Sequence, residues 1–236
     1  MTKNGGGLRH PAYNHMLDMI MSKQLMPGDK IPEVKIAQEF GISRTPVRDA
    51  MRQLANEGLI EIYPNRFAKV AEYGESAIRD IGVLRIALDS MAVKLSSMFG
   101  SQADFLRLKQ IAQDCYDAMS KGDKGQRWRF DSDFHMELAR ISGNDLLIKF
   151  QKELYMRVRF IMMHHPNPMN NEQRHLRQHF EIADALANHD EKTAIAIVED
   201  HLTSFYNLRD KFPPQFFPAF SALEPADEKP VRKAKA

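Results

Sequence analysis

Two regimes of apolar spacing divide this chain. From about His10 to Tyr73 the apolar positions fall in short groups broken by Gly and Pro. Beyond Glu75 they recur at helical spacing through long segments. In the first stretch Tyr13–Met21 and Glu33–Phe40 read as helices, with Met26-Pro27-Gly28-Asp29 as a turn between them and Gly41 suited to the second helix's C-terminal cap. Ser43 can cap a third helix that accepts Pro46 in its first turn and ends near Asn56, before Gly58. Leu59–Tyr63 reads as a strand, Pro64-Asn65-Arg66 as a turn and Ala68–Ala71 as the returning strand. The second stretch predicts six helices, Ser76–Phe99, Ser101–Met119, Asp123–Arg140, Asp145–His164, Asn171–Asn188 and Asp190–Asp210, punctuated by Gly100, Gly122, Gly143-Asn144 and Pro166/Pro168.

The expected fold class is therefore mainly α: an N-terminal winged helix-turn-helix over residues 10–74 and a C-terminal all-α antiparallel helical bundle over 75–212. Residues 1–9 are expected to be a flexible N-terminus. The polar, basic stretch at the end of 213–236 predicts a disordered tail. Composition narrows the setting. There is no apolar run long enough for a membrane span and no N-terminal secretion signal. The single cysteine, Cys115, suits a reducing compartment, so the expectation is a cytoplasmic protein with no membrane partner. The formal charge of +2 is close to neutral, so a nucleic-acid partner must be argued from where the arginines sit.

They sit on the third helix. Arg44, Arg48 and Arg52 recur every four residues and form one stripe, while Val47, Met51 and Leu54 occupy another face. Such a helix can enter the major groove of double-stranded DNA and offer guanidinium forks to guanine edges or phosphates. Ser43 and Thr45 can reach phosphates near its N-terminus. An equally spaced charge stripe also occurs on solvated helices, and it is the order helix, turn, helix, two-stranded wing that favours DNA.

The second stretch carries ionisable groups on apolar faces. Asp131 and His135 are four residues apart and share a face with Phe134 and Leu138. His179 lies among Ile182, Ala183 and Leu186, and His201 among Ile197, Val198, Phe205 and Leu208. In a bundle these faces converge, and one carboxylate with three imidazoles suits a divalent ion, zinc first, with nickel, manganese or iron also compatible. Two alternatives stand beside this set. Each histidine can be a core residue satisfied by a hydrogen bond, and His175 with His179 forms a rival i, i+4 pair. His164, His165 and His189 lie near segment ends and read as solvated. Arg85 falls within the stripe Ile78, Ile81, Leu88, Ala92 and Leu95. A buried guanidinium needs an anion, either Asp89 one turn on or the carboxylate of a ligand. Arg157, among Leu154, Val158 and Ile161, is a second candidate for ligand binding.

Gly41-Ile42-Ser43-Arg44-Thr45-Pro46-Val47-Arg48-Asp49-Ala50, with Pro27-Gly28-Asp29-Lys30-Ile31 and Glu33 upstream and Leu54-Ala55-Asn56-Glu57-Gly58-Leu59-Ile60 downstream, resembles the signature of the GntR family of transcriptional regulators. The resemblance implies a dimer on palindromic operators, with Arg44, Thr45 and Arg48 on DNA; Ser43, Arg52 and the wing residue Arg66 are further candidate contacts by position. Family members usually carry a glycine in the wing turn where this chain has Phe67. Farther on, Phe130-Asp131-Ser132-Asp133-Phe134-His135, Ile141-Ser142-Gly143-Asn144, His179-Phe180-Glu181-Ile182 and Ala194 through His201-Leu202 look like the FCD-type effector domain of the FadR subfamily. That resemblance implies Asp131, His135, His179 and His201 as metal ligands and Arg85 as lining an effector cavity. The expected function is a sequence-specific regulator, a repressor, controlled by a small organic acid bound near the metal. The alternative is a metal-dependent enzyme with a helical-bundle active site. No general acid or base beyond the ligand set supports that alternative.

Overall fold

A computed structural model of the protein describes residues 11–64, 66–164, 172–213 and 216. The chain opens with three helices, α1 (Pro11–Met21), α2 (Glu33–Glu39) and α3 (Arg44–Asn56), followed by an antiparallel hairpin, β1 (Ile60–Tyr63) and β2 (Phe67–Val70). Ile60 faces Val70 and Tyr63 faces Phe67 across the ladder. The apolar face of α3 does what its spacing requires: Val47, Ala50, Met51 and Leu54 are buried against Tyr13, Met16 and Ile20 of α1 and Ile36 of α2. Ser43 stands at the N-cap of α3 in extended backbone, but its hydroxyl makes no capping bond and stays exposed.

Six helices follow, α4 (Glu75–Phe99), α5 (Gln102–Ser120), α6 (Lys124–Ile141), α7 (Asp145–His164), α8 (Glu172–Ala187) and α9 (Glu191–Phe205). Side-chain caps at Ser101, Asp123 and Asp190 start α5, α6 and α9, each satisfying backbone N–H groups that the helix leaves open. The core of this bundle joins Ile86 and Val93 of α4, Phe105 of α5, Phe134 and Leu138 of α6, Ile182 of α8 and Val198 of α9, among others. α9 ends five residues before the boundary its apolar pattern predicts. Asn207 takes the left-handed conformation (φ 51°), which breaks the helix and gives a short 3-10 turn, Arg209–Lys211. The expected flexible N-terminus, the tail beyond Pro213 (Phe216 apart) and His165 lie outside the described residues.

The two halves share a buried contact. Phe160 and Ile161, near the end of α7, are buried within the core of the first three helices and the wing. Arg157 of α7 donates to the Asn56 carbonyl at 3.2 Å, and His164 Nε2 lies 2.9 Å from the Ile20 carbonyl, so His164 is half-buried and bonded rather than solvated as its position near a segment end suggests. Gly58 makes the approach possible. Its φ of +81° is left-handed, and a Cβ there would meet Arg157 Nε at 2.3 Å.

Candidate DNA interface and metal centre

The polar face of α3 is built for outside contact. Arg44, Arg48 and Arg52 are all more than half exposed, and Thr45 and Ser43 are exposed beside them. Glu33, in the first turn of α2, holds two of the three: Arg44 Nε and Arg48 Nε each donate to Glu33 Oε1 at 2.8 Å. The bond from Arg44, followed by the opposing effect of partial burial and then Arg48, leaves the Glu33 carboxyl below its usual range. Arg52 instead pairs with Asp49 at 2.7 Å. Between α3 and the wing runs an open groove of about 580 Å³, lined by Arg44, Arg48 and Arg52 on one side and Tyr63, Arg66 and Phe67 on the other. At the position where a wing glycine is usual, Phe67 is partly exposed, stacks on Tyr63 (4.8 Å between centroids) and lies under the Lys30 ammonium. A helix of guanidinium groups beside a hairpin with Arg66 at its tip presents positive charge, the feature that phosphate contact requires.

The bundle interior holds a different chemistry. Asp131 of α6, His175 and His179 of α8 and His201 of α9 are buried, and one ligand atom from each lies within 4.8 Å of the others. His175 Nε2 is 3.1 Å from Asp131 Oδ1, and His179 Nε2 is 3.7 Å from the same oxygen. The His175 and His201 rings stack at 3.6 Å, and Phe134 stacks on His179 at 4.3 Å, so the rings are held in place by packing. Burial lowers His175 to a pKa of about 4 against the partial opposition of Asp131, and drives His179 and His201 well below the ordinary range. Neutral imidazole is the ligand form. Both ring nitrogens of His179 and His201, and Asp131 Oδ2, are buried without a hydrogen-bond partner among the described residues. Unpartnered polar atoms are costly in a dry core, and a divalent cation would satisfy the one acceptor nitrogen that each neutral ring carries together with Asp131 Oδ2. Burial would raise the Asp131 carboxyl, but the His175 bond and neighbouring imidazoles hold it well below the carboxylate range, ionised for coordination.

Family models match both halves: the model described as bacterial regulatory proteins, gntR family, over residues 8–70 and the FCD domain over 80–204. The chain belongs to the GntR family of bacterial transcriptional regulators, with an FCD domain. It is 28% identical to the Nta operon transcriptional regulator of Aminobacter aminovorans over 193 residues, covering 80% of this chain and 88% of that one. To the transcriptional repressor RspR of Escherichia coli it is 26% identical, covering 75% and 78% of the two chains. Solved structures of E. coli McbR/YncC (TM-score 0.69, 20% identity, 85% of this chain and 95% of that one) and of a GntR regulator from Rhodococcus sp. RHA1 (TM-score 0.69, 19% identity, 90% and 97%) share the fold. The family is one of non-catalytic regulators, which removes the metal-dependent enzyme considered from the sequence. No described helix is long and apolar enough to cross a membrane.

Within this GntR/FCD frame the residues singled out by sequence separate. Asp131, His179 and His201 come together as their stripes require, and the fourth member of the close group is His175, from the rival pair. His135 stands at its edge, its ring 5.3 Å from His201 and 5.4 Å from His179, with Nδ1 3.2 Å from Asp89 Oδ2. Arg85 is fully buried beside the group. It bonds to Tyr155 Oη at 2.8 Å and faces Asp89 at 3.4 Å and Asp131 at 3.6 Å, while its Nη2 lacks a hydrogen bond. Burial opposes its charge, but Tyr155, Tyr206, Asp89 and Asp131 outweigh it and hold the guanidinium protonated. Gly82 contributes from one turn away, because only a missing side chain lets the Tyr206 ring lie on α4, where its hydroxyl accepts from Arg85 Nη1 at 3.4 Å. Arg157 is not part of this group; its guanidinium faces Asn56 at the junction of the halves. Tyr155 and Gln151 of α7, which bond to Asp89, were not singled out by sequence, because α7's pattern alone does not show which helix it meets.

Proposed function

We propose that this regulator is a repressor whose operator affinity is set by a small organic acid bound at the centre of the FCD bundle, against a divalent metal. The observation that carries the reading is Arg85, a fully buried cation with an unbonded Nη2, 3.6 Å from the carboxylate of a four-residue metal-competent cluster. An incoming carboxylate would satisfy that donor in a charge-assisted bond. Asp131, His179 and His201 would hold the ion, with His135 and His175 offering the remaining imidazoles. Zinc is the first candidate, and nickel, manganese or iron suit the same donors. The ion, when bound, supplies a positive charge and open coordination positions for ligand oxygens. The similarity to RspR, a transcriptional repressor, favours repression as the direction of control.

α7 supplies a route from this site to the DNA. Gln151 and Tyr155 touch Asp89 and Arg85, and within the next turns Arg157, Phe160 and Ile161 are seated on the winged half. A ligand that shifts Arg85 or Tyr155 therefore acts on the helix that braces the end of α3. Operator affinity then changes by the ligand's differential affinity for the two arrangements. A homodimer on a palindromic operator is supported by a seam on α4. Ile81, Leu84, Leu88, Met91, Leu95 and Met98 alternate three and four residues apart, and Leu84, Met91 and Met98 are each about half exposed or more. That is the spacing by which one helix packs on another copy of itself. Ser43, Arg44, Thr45, Arg48, Arg52 and Arg66 form the operator contact in this reading.

The test is an operator-shift titration with DNA from the protein's own regulatory region, run with zinc-loaded and chelated protein and with a panel of carboxylic acids. A change in half-saturation with one acid, dependent on the metal, is the expected result. Operator affinity indifferent to every acid and to chelation would refute the reading.

A further inference from the structure

Arg127 is the second buried arginine of the bundle and the regulator described so far leaves it without a task. It is 1% exposed, and Nε, Nη1 and Nη2 all lack hydrogen bonds among the described residues. Its guanidinium lies over the Trp128 ring at 3.6 Å, and its one ionic neighbour among the described residues is Glu172, half exposed in the first turn of α8, with Oε1 2.9 Å from Nε. A carboxylate at Nε leaves the two terminal nitrogens, with four N–H groups, buried and unanswered. A structural arginine of this kind is expected to be forked by an acceptor at that end.

Its position decides what such an acceptor would be. Arg127 is four residues before Asp131 on α6, and Glu172 is three residues before His175 on α8, so the Arg127–Glu172 pair forms a layer one helical turn from the Asp131–His175 pair. The rise across four residues is about 6 Å. We infer that Arg127 is a second anion anchor of the effector site, and that the effector is a short dicarboxylate. One carboxylate lies at the Asp131–histidine cluster with Arg85, and the other is forked by Arg127 after displacing Glu172. About four to six carbons span the two layers. This rests on the proposed effector site and adds to it the ligand class and the residue that selects it. Glu172 acts as a tethered competitor, an anion that keeps Arg127 paired until a ligand's second carboxylate takes its place.

The experiment uses the full chain loaded with zinc, titrated calorimetrically with acetate and propionate as monocarboxylates and with succinate and glutarate as dicarboxylates. The wild-type protein should prefer a dicarboxylate by about tenfold or more, the effect of one added charge-assisted contact. Arg127→Met should erase that preference and leave the monocarboxylate Kd unchanged. Glu172→Gln should tighten dicarboxylate binding by several-fold through loss of the competitor, with no effect on acetate. Should Arg127→Met fail to fold, Glu172→Gln carries the test alone, since its side chain is half exposed. A dicarboxylate preference that survives Arg127→Met, or a dicarboxylate Kd untouched by Glu172→Gln, overturns the inference while leaving the effector site standing. Absence of binding by either class to the wild-type protein overturns both.

Discussion

Acid should destabilise the metal-free protein well above the pH at which carboxylates begin to titrate. The perturbation is a shift from pH 7.5 to 5.5 after chelation. His175 has a folded-state pKa of about 4 against 6.5 when solvated, and His179 and His201 are lowered in the same sense. In this window the unfolded chain takes up protons that the folded chain refuses, so stability falls with pH. Over those two units the His175 imidazole alone removes about 1.3 kcal/mol, with the unfolded state titrating at 6.5 and the folded state near 4, and His179 and His201 add to the loss in the same direction. A loss of that size or more is a measurable share of the roughly 5–15 kcal/mol available to a domain. Asp131, depressed in the folded state, loses its contribution only below the ordinary carboxylate range and does not offset this loss. Urea unfolding followed by circular dichroism at the two pH values measures the difference. Zinc at a thousand times its Kd should add back about 4 kcal/mol at pH 7.5. A chelated protein whose unfolding free energy changes by less than about 1 kcal/mol between the two pH values would show that the histidines are not buried as neutral rings, and the argument for a ligand-ready cluster would fail with it.

Arg48→Ala should weaken operator binding by about 1–3 kcal/mol and relax base preference at one position; equal affinity at fixed salt would remove Arg48 from the interface. His179→Ala combined with His201→Ala should abolish bound metal, measured by elemental analysis of the dialysed protein, and a full equivalent retained would place the ion elsewhere. Arg85→Met should leave operator binding intact and abolish the response to the effector acid, so a normal response in the shift assay would reject it as an anchor. Gly58→Ala should destabilise by about 1–3 kcal/mol, because the added methyl enters both a left-handed backbone position and the space of Arg157; an unchanged melting temperature would mean that the two halves do not meet there.

Much of the fold was legible because its elements follow one periodicity each. α7 matches its predicted span residue for residue, and the other helix boundaries mostly fall within a residue or two of the punctuation by Gly, Asp and Ser. The end of α9 was not legible, because Leu208 continues the apolar pattern past the point where Asn207 turns the backbone left-handed. The site was legible to the extent that a buried polar residue on an apolar stripe has few explanations: Asp131, His179, His201 and Arg85 all lie inside. What spacing could not supply was azimuth. His135 and His175 are each one turn from a ligand candidate, and only the packing of α8 on α9 shows that His175 stacks on His201 while His135 leans toward Asp89. Arg127, four residues before Asp131, was not singled out, because beside Trp128 at a helix start no apolar stripe marks it as buried.

Arg157 shows the same limit with a different consequence. Its neighbours Leu154, Val158 and Ile161 are indeed buried, but α7 is long enough to serve two cores, and the residues past Tyr155 belong increasingly to the winged half. A helix that ends inside another unit's core cannot rotate or slide without repacking Phe160 and Ile161, since close-packed interiors tolerate discrete arrangements better than gradual ones. The same helix carries Gln151 and Tyr155, whose bonds to Asp89 and Arg85 would be remade by an anion at Arg85. Gln151 and Tyr155, which touch Asp89 and Arg85 of the sensor, and Phe160, buried in the core of the DNA-binding half, are thus about one to three helical turns apart on one helix. On the proposed reading the coupling needs no long pathway, and its strength should scale with how firmly Phe160 is seated.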